Sequence, residues 1–297
     1  MKKVLFFCMA LLVLLSASKC TGTYVGTESS DPEKNEQKTE TPESEHHPLY
    51  ADSLALMKDA SVTLLREGVV WTSIYTEWKG ALRSINILEI ELSDKNRLYF
   101  GCPAERKCTS DQCEEYGAFA GVNGSYFSHT YVKIDGEVVK PGKDEGVNPF
   151  QHDGVFTLED NVPGIAYVGS NAAASQLPYE NVMCCGPLLI NNDVHMSFAD
   201  HSHNTTTHPR TGVAVTEDGK VLLVTVDGRF PGKAVGMPNA LFAKLLDIFG
   251  AEYALNLDGG GSTTMWIEGY GVVNHPCDKV NWDNPVERKV ESIIYLK

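Results

Sequence analysis

Short runs in which apolar and polar residues alternate recur along the chain and are separated by turn residues. The run 69–78 (VVWTSIYTEW) alternates in this way, which is typical of a half-buried β-strand. Asp135-Gly136 and Asp218-Gly219 interrupt two later runs and predict hairpin turns. Because strands dominate and no regular strand–helix–strand alternation is present, the sequence predicts an α+β fold: a mixed, largely antiparallel sheet with a few flanking helices.

Two segments instead have apolar residues at helical spacing. Residues 49–66 contain neither Gly nor Pro, and residues 238–249 begin with Pro238 and are followed by Gly250. Both patterns predict helices, the second with standard start and stop residues. The second helix is followed by YALNL, predicted as a strand that leads into Asp258.

The first 20 residues are typical of an export signal. Two lysines precede the apolar segment 4–15, which is too short to span a bilayer. Cys20 stands where a bacterial lipoprotein carries its acylated cysteine. We therefore predict a bacterial protein that is exported and is periplasmic or anchored to the outer membrane, with a lipid anchor at Cys20 as its only membrane contact. Secretion without an anchor is the alternative.

The rest of the chain is predicted in three parts. Residues 21–48 are polar and acidic and predict a disordered tether. Residues 49–117 form an N-terminal helix and strands, and residues 118–297 carry the motifs described below. The formal net charge of −14 argues against nucleic acid as a partner, because the phosphate backbone would repel an acidic protein.

Six cysteines lie in the predicted folded part: Cys102, Cys108, Cys113, Cys184, Cys185 and Cys277. An exported chain occupies an oxidising compartment, so disulfides are the default expectation. A zinc cluster built from the first three is the alternative, but their spacing contains no CxxC pair. The sequence does not choose among the possible disulfide pairings.

Three consecutive glycines, Gly259 to Gly261, follow Asp258 at the end of a predicted strand. Glycine tolerates positive φ and allows close approach by another group. Successive N–H groups in such a loop can converge on an anion, and the hydroxyls of Ser262 and Thr263 would extend the donor set. We therefore predict a phosphate site at this loop, with a tight inter-strand turn as the alternative.

Arg210 and Arg229 stand at the two ends of the hairpin that turns at residues 218–219. The start and the finish of an antiparallel pair lie side by side. The two guanidinium groups would then clamp a phosphate, with Asp227 between the strands. The alternative is a pair of surface arginines, each bound to an acidic residue.

Two further places carry candidate polar residues. Asn123, at the end of an apolar strand, either binds a sugar hydroxyl or holds a turn. Glu287 and Arg288 precede the last predicted strand and either face the site or form an exposed pair.

Four histidines occur close together in a polar segment: His195, His201, His203 and His208. Such a group can bind zinc, but solvated loop histidines are the favoured interpretation, so the sequence predicts no metal and no cofactor. The motifs GxSxG, HExxH and GxGxxG are absent, and the corresponding hydrolase and dinucleotide-binding classes lose their best support.

The chain resembles the phosphodiester glycosidase family in five motifs that occur in the order GVNGSYF, HPRTGVAV, LLVTVDGR, ALNLDGGGSTTM and NPVERKV. The resemblance extends from about residue 118 to the C-terminus, and DGGGS is its most specific part. It implies hydrolysis of a sugar phosphodiester at the anomeric carbon. By matching motif, it implies a pocket formed by Asn123, Arg210, Thr211, Asp227, Arg229, Asn256, Asp258, Gly259, Gly260, Ser262, Thr263 and Arg288.

For this chemistry, arginines and backbone donors would stabilise the departing phosphate. A carboxylate would stabilise the oxocarbenium-like transition state or activate water. We assign that role to Asp258, with Asp227 or Glu287 as the second carboxylate. The alternative function is that of a surface glycan-binding lipoprotein without turnover. In either case the expected partner is a sugar phosphodiester or another glycan.

Overall fold

The structure is a computed structural model that describes residues 48–127 and 129–297. The predicted export signal and nearly all of the predicted tether lie outside these residues. Residues 48–297 form one compact unit. Within the described part of the chain, no helix has both the length and the apolar character needed to cross a membrane.

The strands in chain order are β1 (Ala60–Arg66), β2 (Val69–Trp78), β3 (Ala81–Ile90), β4 (Leu98–Gly101), β5 (Ala120–Asn123), β6 (Tyr131–Ile134), β7 (Glu137–Pro141), β8 (Gly154–Glu159), β9 (Val162–Tyr167), β10 (Asn181–Cys185), β11 (Leu188–Asn191), β12 (Val194–His195), β13 (Arg210–Thr216), β14 (Val221–Val226), β15 (Ala251–Asn256), β16 (Met265–Ile267), β17 (Gly271–Val272) and β18 (Ile293–Leu296). The α-helices are α1 (Pro48–Met57), α2 (Thr109–Tyr116), α3 (Asn171–Ala174), α4 (Ser202–Thr205) and α5 (Asn239–Ile248). Pro149–Gln151 and Gly260–Ser262 are 3₁₀ turns.

These strands form three sheets, and the paired strands within each are antiparallel. The largest has the order β1-β2-β3-β14-β13-β15-β11-β12, and the two smaller ones have the orders β7-β6-β10-β8-β9 and β17-β16-β5-β18-β4. The α+β prediction is confirmed. Strands β1 to β3 of the predicted N-terminal part belong to the same sheet as β13 to β15.

The central strands of the large sheet are buried on both faces. On one face, side chains such as Leu223 and Val213 pack with residues of the two smaller sheets. On the other face, Leu222 and Val224 pack against Phe242 of α5. Neighbouring residues of β14 therefore enter different cores, which explains why this strand is apolar except for Thr225 instead of alternating.

The helix predicted over residues 49–66 is wrong in its second half. It ends at Met57, and Ala60–Arg66 is strand β1, paired with β2. Val62 and Thr63 are β-branched and favour a strand, and pairing with β2 overrides the helical spacing. The helix α5 and the hairpin turns at 135–136 and 218–219 agree with the prediction.

None of the six cysteines in the described residues is in a disulfide, so the expected disulfides are not confirmed. The adjacent Cys184 and Cys185 point to opposite faces of β10, where they enter two different core clusters. Cys113 packs in a third cluster. These three thiols act as small apolar side chains, and burial raises the pKa of each.

Candidate active site

The three glycines form a tight turn between β15 and β16. Its amides are mostly used locally: Gly260 N–H donates to the Pro209 carbonyl at 3.0 Å, Ser262 N–H to Gly259 at 3.2 Å, and Thr263 N–H to Gly260 at 3.3 Å. The N–H groups of Gly260, Ser262 and Thr263 are therefore not free to converge on an anion. Their hydrogen bonds are those of a tight turn between two strands.

Bare backbone at the turn makes room for two guanidinium groups. A Cβ on Gly260 would lie 3.0 Å from Nη2 of Arg229, and a Cβ on Gly261 would lie 2.5 Å from Nη2 of Arg288. A Cβ on Gly261 would overlap the Arg288 guanidinium, and a Cβ on Gly260 would press against that of Arg229, so a side chain at either glycine would require its arginine to shift. Gly260 also has φ +63°, which favours glycine. The pair of arginines beside the triple glycine is thus Arg229 and Arg288.

Arg229 adopts an unusual backbone conformation. Its φ of 66° lies in the left-handed region, which costs free energy for a residue with a side chain. The side chain is exposed, and its guanidinium interacts with the thiol of Cys277. This contact partly offsets the effect of burial, which raises the pKa of that thiol. Strain at an exposed arginine is typical of a functional position.

Asp258 is fixed by its main chain. Its N–H donates to the Gly124 carbonyl at 3.0 Å, and its carbonyl accepts from Nδ2 of Asn123 at 2.6 Å. The strand end therefore delivers the carboxyl group to one place with little freedom. The side chain itself is half-buried.

Burial raises the pKa of the Asp258 carboxyl to about 6. The Ser262 hydroxyl and the positive charges of Arg288 and Lys140 oppose this rise. Ser262 Oγ lowers the pKa of Asp258 although its geometry does not meet the criteria for a hydrogen bond. A carboxyl group that titrates near neutral pH beside two cations is suited to accept a proton from water.

Several buried polar atoms near this turn have no hydrogen-bond partner among the described residues. They are Oγ1 of Thr263, Oγ1 of Thr264 and Oδ1 of Asn256. Buried polar groups are normally satisfied. These atoms near Asp258 can therefore form hydrogen bonds with a polar ligand or with water.

Asn123 connects the elements that surround the turn. Its Oδ1 accepts from the Thr211 hydroxyl at 2.7 Å and from Thr264 N–H at 3.1 Å, while its Nδ2 binds the Asp258 carbonyl. Strands β5 and β13 are thereby tied to the glycine turn. The structure thus places Asn123 and Thr211 next to Asp258 as residues that hold the loop.

Arg210 is buried, with only 1% of its surface exposed. Its Nε donates to the Met237 carbonyl at 2.8 Å, and its Nη2 donates to the carbonyls of His203 at 2.6 Å and Thr206 at 3.4 Å. Burial lowers the pKa of Arg210 to about 10. Arg210 is engaged by these three backbone carbonyls, and the positive charge of Arg229 also contributes to its lowered pKa. The clamp of Arg210 and Arg229 stays a prediction.

Replacing Arg210 with methionine is expected to lower the free energy of unfolding by about 3 kcal/mol, because buried carbonyls lose their donors. Arg229→Met, at an exposed position, is the matched control and should change stability by less than about 0.5 kcal/mol. Urea denaturation at constant pH measures both. Equal stability of the two variants would contradict the structural role of Arg210.

Asp227 is also close to the turn but is 1% exposed. Its carboxylate accepts from the Ser84 hydroxyl at 2.6 Å, from Nδ2 of Asn274 at 2.9 Å and from the backbone N–H of His275 at 2.8 Å. Asn274 also donates to the carbonyl of Thr263. Asp227 therefore anchors the segment after β17 to the glycine turn.

Glu287 lies at the N-terminus of α2. Its two carboxylate oxygens accept from the hydroxyl of Ser110 at 2.5 Å and from the N–H of Ser110 at 3.1 Å. A carboxylate at this end of a helix satisfies orphan N–H groups and complements the helix dipole. Glu287 thus binds the first turn of α2. Its neighbour Arg288 lies beside Gly261 of the glycine turn.

The sequence model of the phosphodiester glycosidase family matches residues 116–297, which is more than half of the chain. The chain belongs to the phosphodiester glycosidase family. The family predicted from the five motifs is thereby confirmed. No curated protein sequence matches the chain.

Solved structures agree with this family fold. The catalytic domain of zebrafish N-acetylglucosamine-1-phosphodiester alpha-N-acetylglucosaminidase, auto-inhibited by its pro-peptide, matches with a TM-score of 0.58 and 18% identity over 80% of this chain and 81% of that chain. A Synechocystis protein matches with a TM-score of 0.52 and 14% identity over 80% and 63%. A Burkholderia pseudomallei protein matches with a TM-score of 0.51 and 16% identity over 72% of this chain and 74% of that chain. At these identities the likeness concerns the fold alone.

In this phosphodiester glycosidase family member, the four clustered histidines have structural partners. His195 pairs with Asp247, and His201 accepts from the N–H of His203. The described residues contain no group of three His, Cys, Asp or Glu side chains that could hold a metal ion. Burial lowers the pKa of His203 to about 4, so this imidazole is neutral at physiological pH.

His203 belongs to a network that reaches Asn256. The hydroxyl of Tyr126 lies 3.0 Å from Nε2 of His203, donates to the Gly186 carbonyl at 2.9 Å, and accepts from Nδ2 of Asn256 at 3.0 Å. Asn256 is the last residue of β15 and lies two residues before Asp258. The hydrogen bonds of this network therefore hold the side chain of Asn256 at the end of β15.

Several residues of the site were not among the sequence candidates. The segment 274–278 (NHPCD) contributes Asn274, His275, Cys277 and Asp278, and Asp278 binds Nε of Arg288 at 2.6 Å. A polar segment directly after a short hairpin is the only local signal for them. Ser84 and Lys140 have no such signal, because their contacts cross between distant strands.

Proposed function

We propose that this protein is an exported hydrolase that cleaves the glycosidic C–O bond of a sugar 1-phosphodiester. The observation that carries the proposal is the placement of the Asp258 carboxyl beside a turn on which Arg229 and Arg288 are packed. Two guanidinium groups suit a phosphodiester anion. A carboxyl group with a pKa of about 6 suits the activation of water.

In the proposed reaction, Arg229 and Arg288 bind the non-bridging oxygens of the phosphate. Asp258 accepts a proton from water as the water oxygen bonds to the anomeric carbon. The bond from that carbon to the phosphate oxygen breaks, and a phosphate monoester of the aglycone departs. The arginines contribute most where negative charge increases on the leaving phosphate.

Membership of the phosphodiester glycosidase family supports this reaction class. The name of the zebrafish protein makes an N-acetylglucosamine 1-phosphodiester the first substrate to test. Export rests on the N-terminal sequence, with the lipid anchor proposed at Cys20. Metabolic labelling with a fatty acid and a Cys20→Ala control would test the anchor.

Product analysis on a panel of sugar 1-phosphodiesters tests the function. The expected products are free sugar and the phosphate monoester of the aglycone, and in oxygen-labelled water the label appears in the sugar. Sugar 1-phosphate and a free alcohol would contradict the proposal, because they indicate cleavage of a P–O bond. Binding of the panel without any turnover would support a glycan-binding lipoprotein instead.

A further inference from the structure

Asp227 cannot reach a substrate with its own oxygens. Three donors occupy its carboxylate, and the side chains of Ser84 and Asn274 are themselves buried. The remaining partner is the imidazole of His275, whose Nδ1 lies 3.3 Å from Oδ2 of Asp227. That side chain is 32% exposed. The group that Asp227 presents toward solvent is therefore His275.

The imidazole of His275 is held by two independent contacts. Nδ1 facing a carboxylate fixes the tautomer in which Nδ1 carries a hydrogen, so Nε2 is left for another partner. The ring also stacks on Trp282, with centroids 3.6 Å apart and planes 6° from parallel. Trp282 in turn contacts Phe230 and Tyr75. An imidazole with both its tautomer and its plane fixed is preorganised for proton transfer.

His275 also lies in the segment that borders the proposed phosphate site. Its neighbour Asn274 binds the carbonyl of Thr263 at the end of the glycine turn. Cys277 and Asp278, two and three residues later, contact Arg229 and Arg288. The segment that carries His275 therefore runs along the same turn as the two arginines.

We infer that His275 is the general acid of the reaction and that Asp227 is the positioning residue that orients it. This inference rests on the proposed function. The imidazolium donates the proton on Nε2 to the bridging oxygen of the phosphate as the bond from this oxygen to the anomeric carbon breaks. Asp258 accepts the proton of the attacking water, and solvent returns the proton from Asp258 to His275 after the products leave.

The charged groups around His275 fit this role. The buried carboxylate of Asp227 lies against Nδ1 of the imidazole, the same arrangement as the carboxylate and histidine of a hydrolase triad. Arg229 contacts Cys277, two residues along the chain from His275. After the imidazolium donates its proton, the negative charge of the buried Asp227 carboxylate stays bound by the Ser84 hydroxyl, the Asn274 amide and the N–H of His275.

The test compares two substrates with the same sugar, one releasing an alkyl phosphate and the other releasing the more acidic aryl phosphate. General acid catalysis matters more for the more basic leaving group. His275→Gln is therefore expected to lower kcat by about 10²-fold on the alkyl substrate and by less than about tenfold on the aryl substrate. Equal losses on both substrates, or no loss on either, would overturn the role.

Asp227→Asn should reproduce this pattern, because its amide can donate to Nδ1 of His275 and reverse the tautomer. In the His275→Gln background, Asp227→Asn should lower kcat by no more than about twofold further, since residues that act as a unit are not additive. Ser84→Ala is the matched control: it removes another ligand of Asp227 and leaves the imidazole in place. A kcat loss for Ser84→Ala equal to that of Asp227→Asn would indicate a packing role and overturn the inference.

The wild-type enzyme separates this inference from the proposed function. Wild-type hydrolysis of both substrates with C–O cleavage is required for the comparison. A wild-type protein that is inactive on both overturns the proposed function and this role together. An active wild type with an unaffected His275→Gln variant overturns the role of His275 alone. His275→Asn serves as the second variant, and thermal unfolding verifies that each variant is folded.

Discussion

Asp258→Asn is expected to lower kcat by about 10³-fold while leaving substrate binding largely intact. The amide cannot accept a proton from water, whereas the main-chain contacts of residue 258 to Gly124 and Asn123 do not depend on the side chain. Initial rates and equilibrium binding of a sugar 1-phosphodiester measure the two effects. A variant that keeps more than about a tenth of the wild-type rate would contradict the role of this carboxylate.

The same substitution is expected to raise stability at neutral pH. The folded protein holds the Asp258 carboxyl with a pKa of about 6, against an ordinary value of 3.8, so folding favours the protonated form. That contribution is complete below about pH 4 and is lost as the pH rises through about 6. Asp258→Asn should therefore gain roughly 2 kcal/mol over the wild type between pH 4 and pH 7. Urea denaturation at the two pH values measures the difference.

Asp153 offers a matched control. Burial raises its pKa to about 7, and its Oδ1 accepts from the N–H of Leu188, a contact that an amide oxygen can keep. Asp153→Asn should show a similar gain in stability with pH and keep its activity within about threefold. If both variants lose activity equally, the loss for Asp258→Asn reflects a general effect of altered charge.

The sequence predicted the class of fold well because the fold is built from local patterns. Alternating strands and Asp-Gly turns each act within a few residues, and the structure places them as expected at β2 and at the two hairpins. The second half of the predicted helix 49–66 failed for the opposite reason. Its conformation depends on pairing with β2, and a short apolar run does not reveal that pairing.

The sequence also placed most of the site residues near one another, but it did not predict their roles. Arg210 and Arg229 have the same side chain and stand at the ends of one hairpin, yet one is buried and the other exposed. The difference arises from carbonyl groups of the loop before β13, which approach Arg210 in three dimensions only. His275 was missed because its partner Asp227 is distant in sequence.

Arg229→Gln and Arg288→Gln are each expected to lower kcat/KM by about 10²- to 10³-fold, because each removes positive charge from the proposed phosphate site. Lysine at either position should recover only part of the loss, since it lacks the planar fork of donors. Arg66→Gln is the control. This half-buried arginine packs on Phe119 and binds Asn96 instead. A comparable loss for Arg66→Gln would show that lost arginine packing in general explains the effect.

The triple glycine allows a sharper form of the same prediction. A Cβ at Gly261 would lie 2.7 Å from Cζ of Arg288, so Gly261→Ala must move the guanidinium. Gly261→Ala and Arg288→Ala should each cost about 10²-fold in kcat/KM, and the double variant should cost little more than either alone. Additive losses would mean that the glycine serves the site independently of Arg288. Non-additive losses would mean that the absence of a side chain at Gly261 is needed to place the Arg288 guanidinium at the proposed phosphate site.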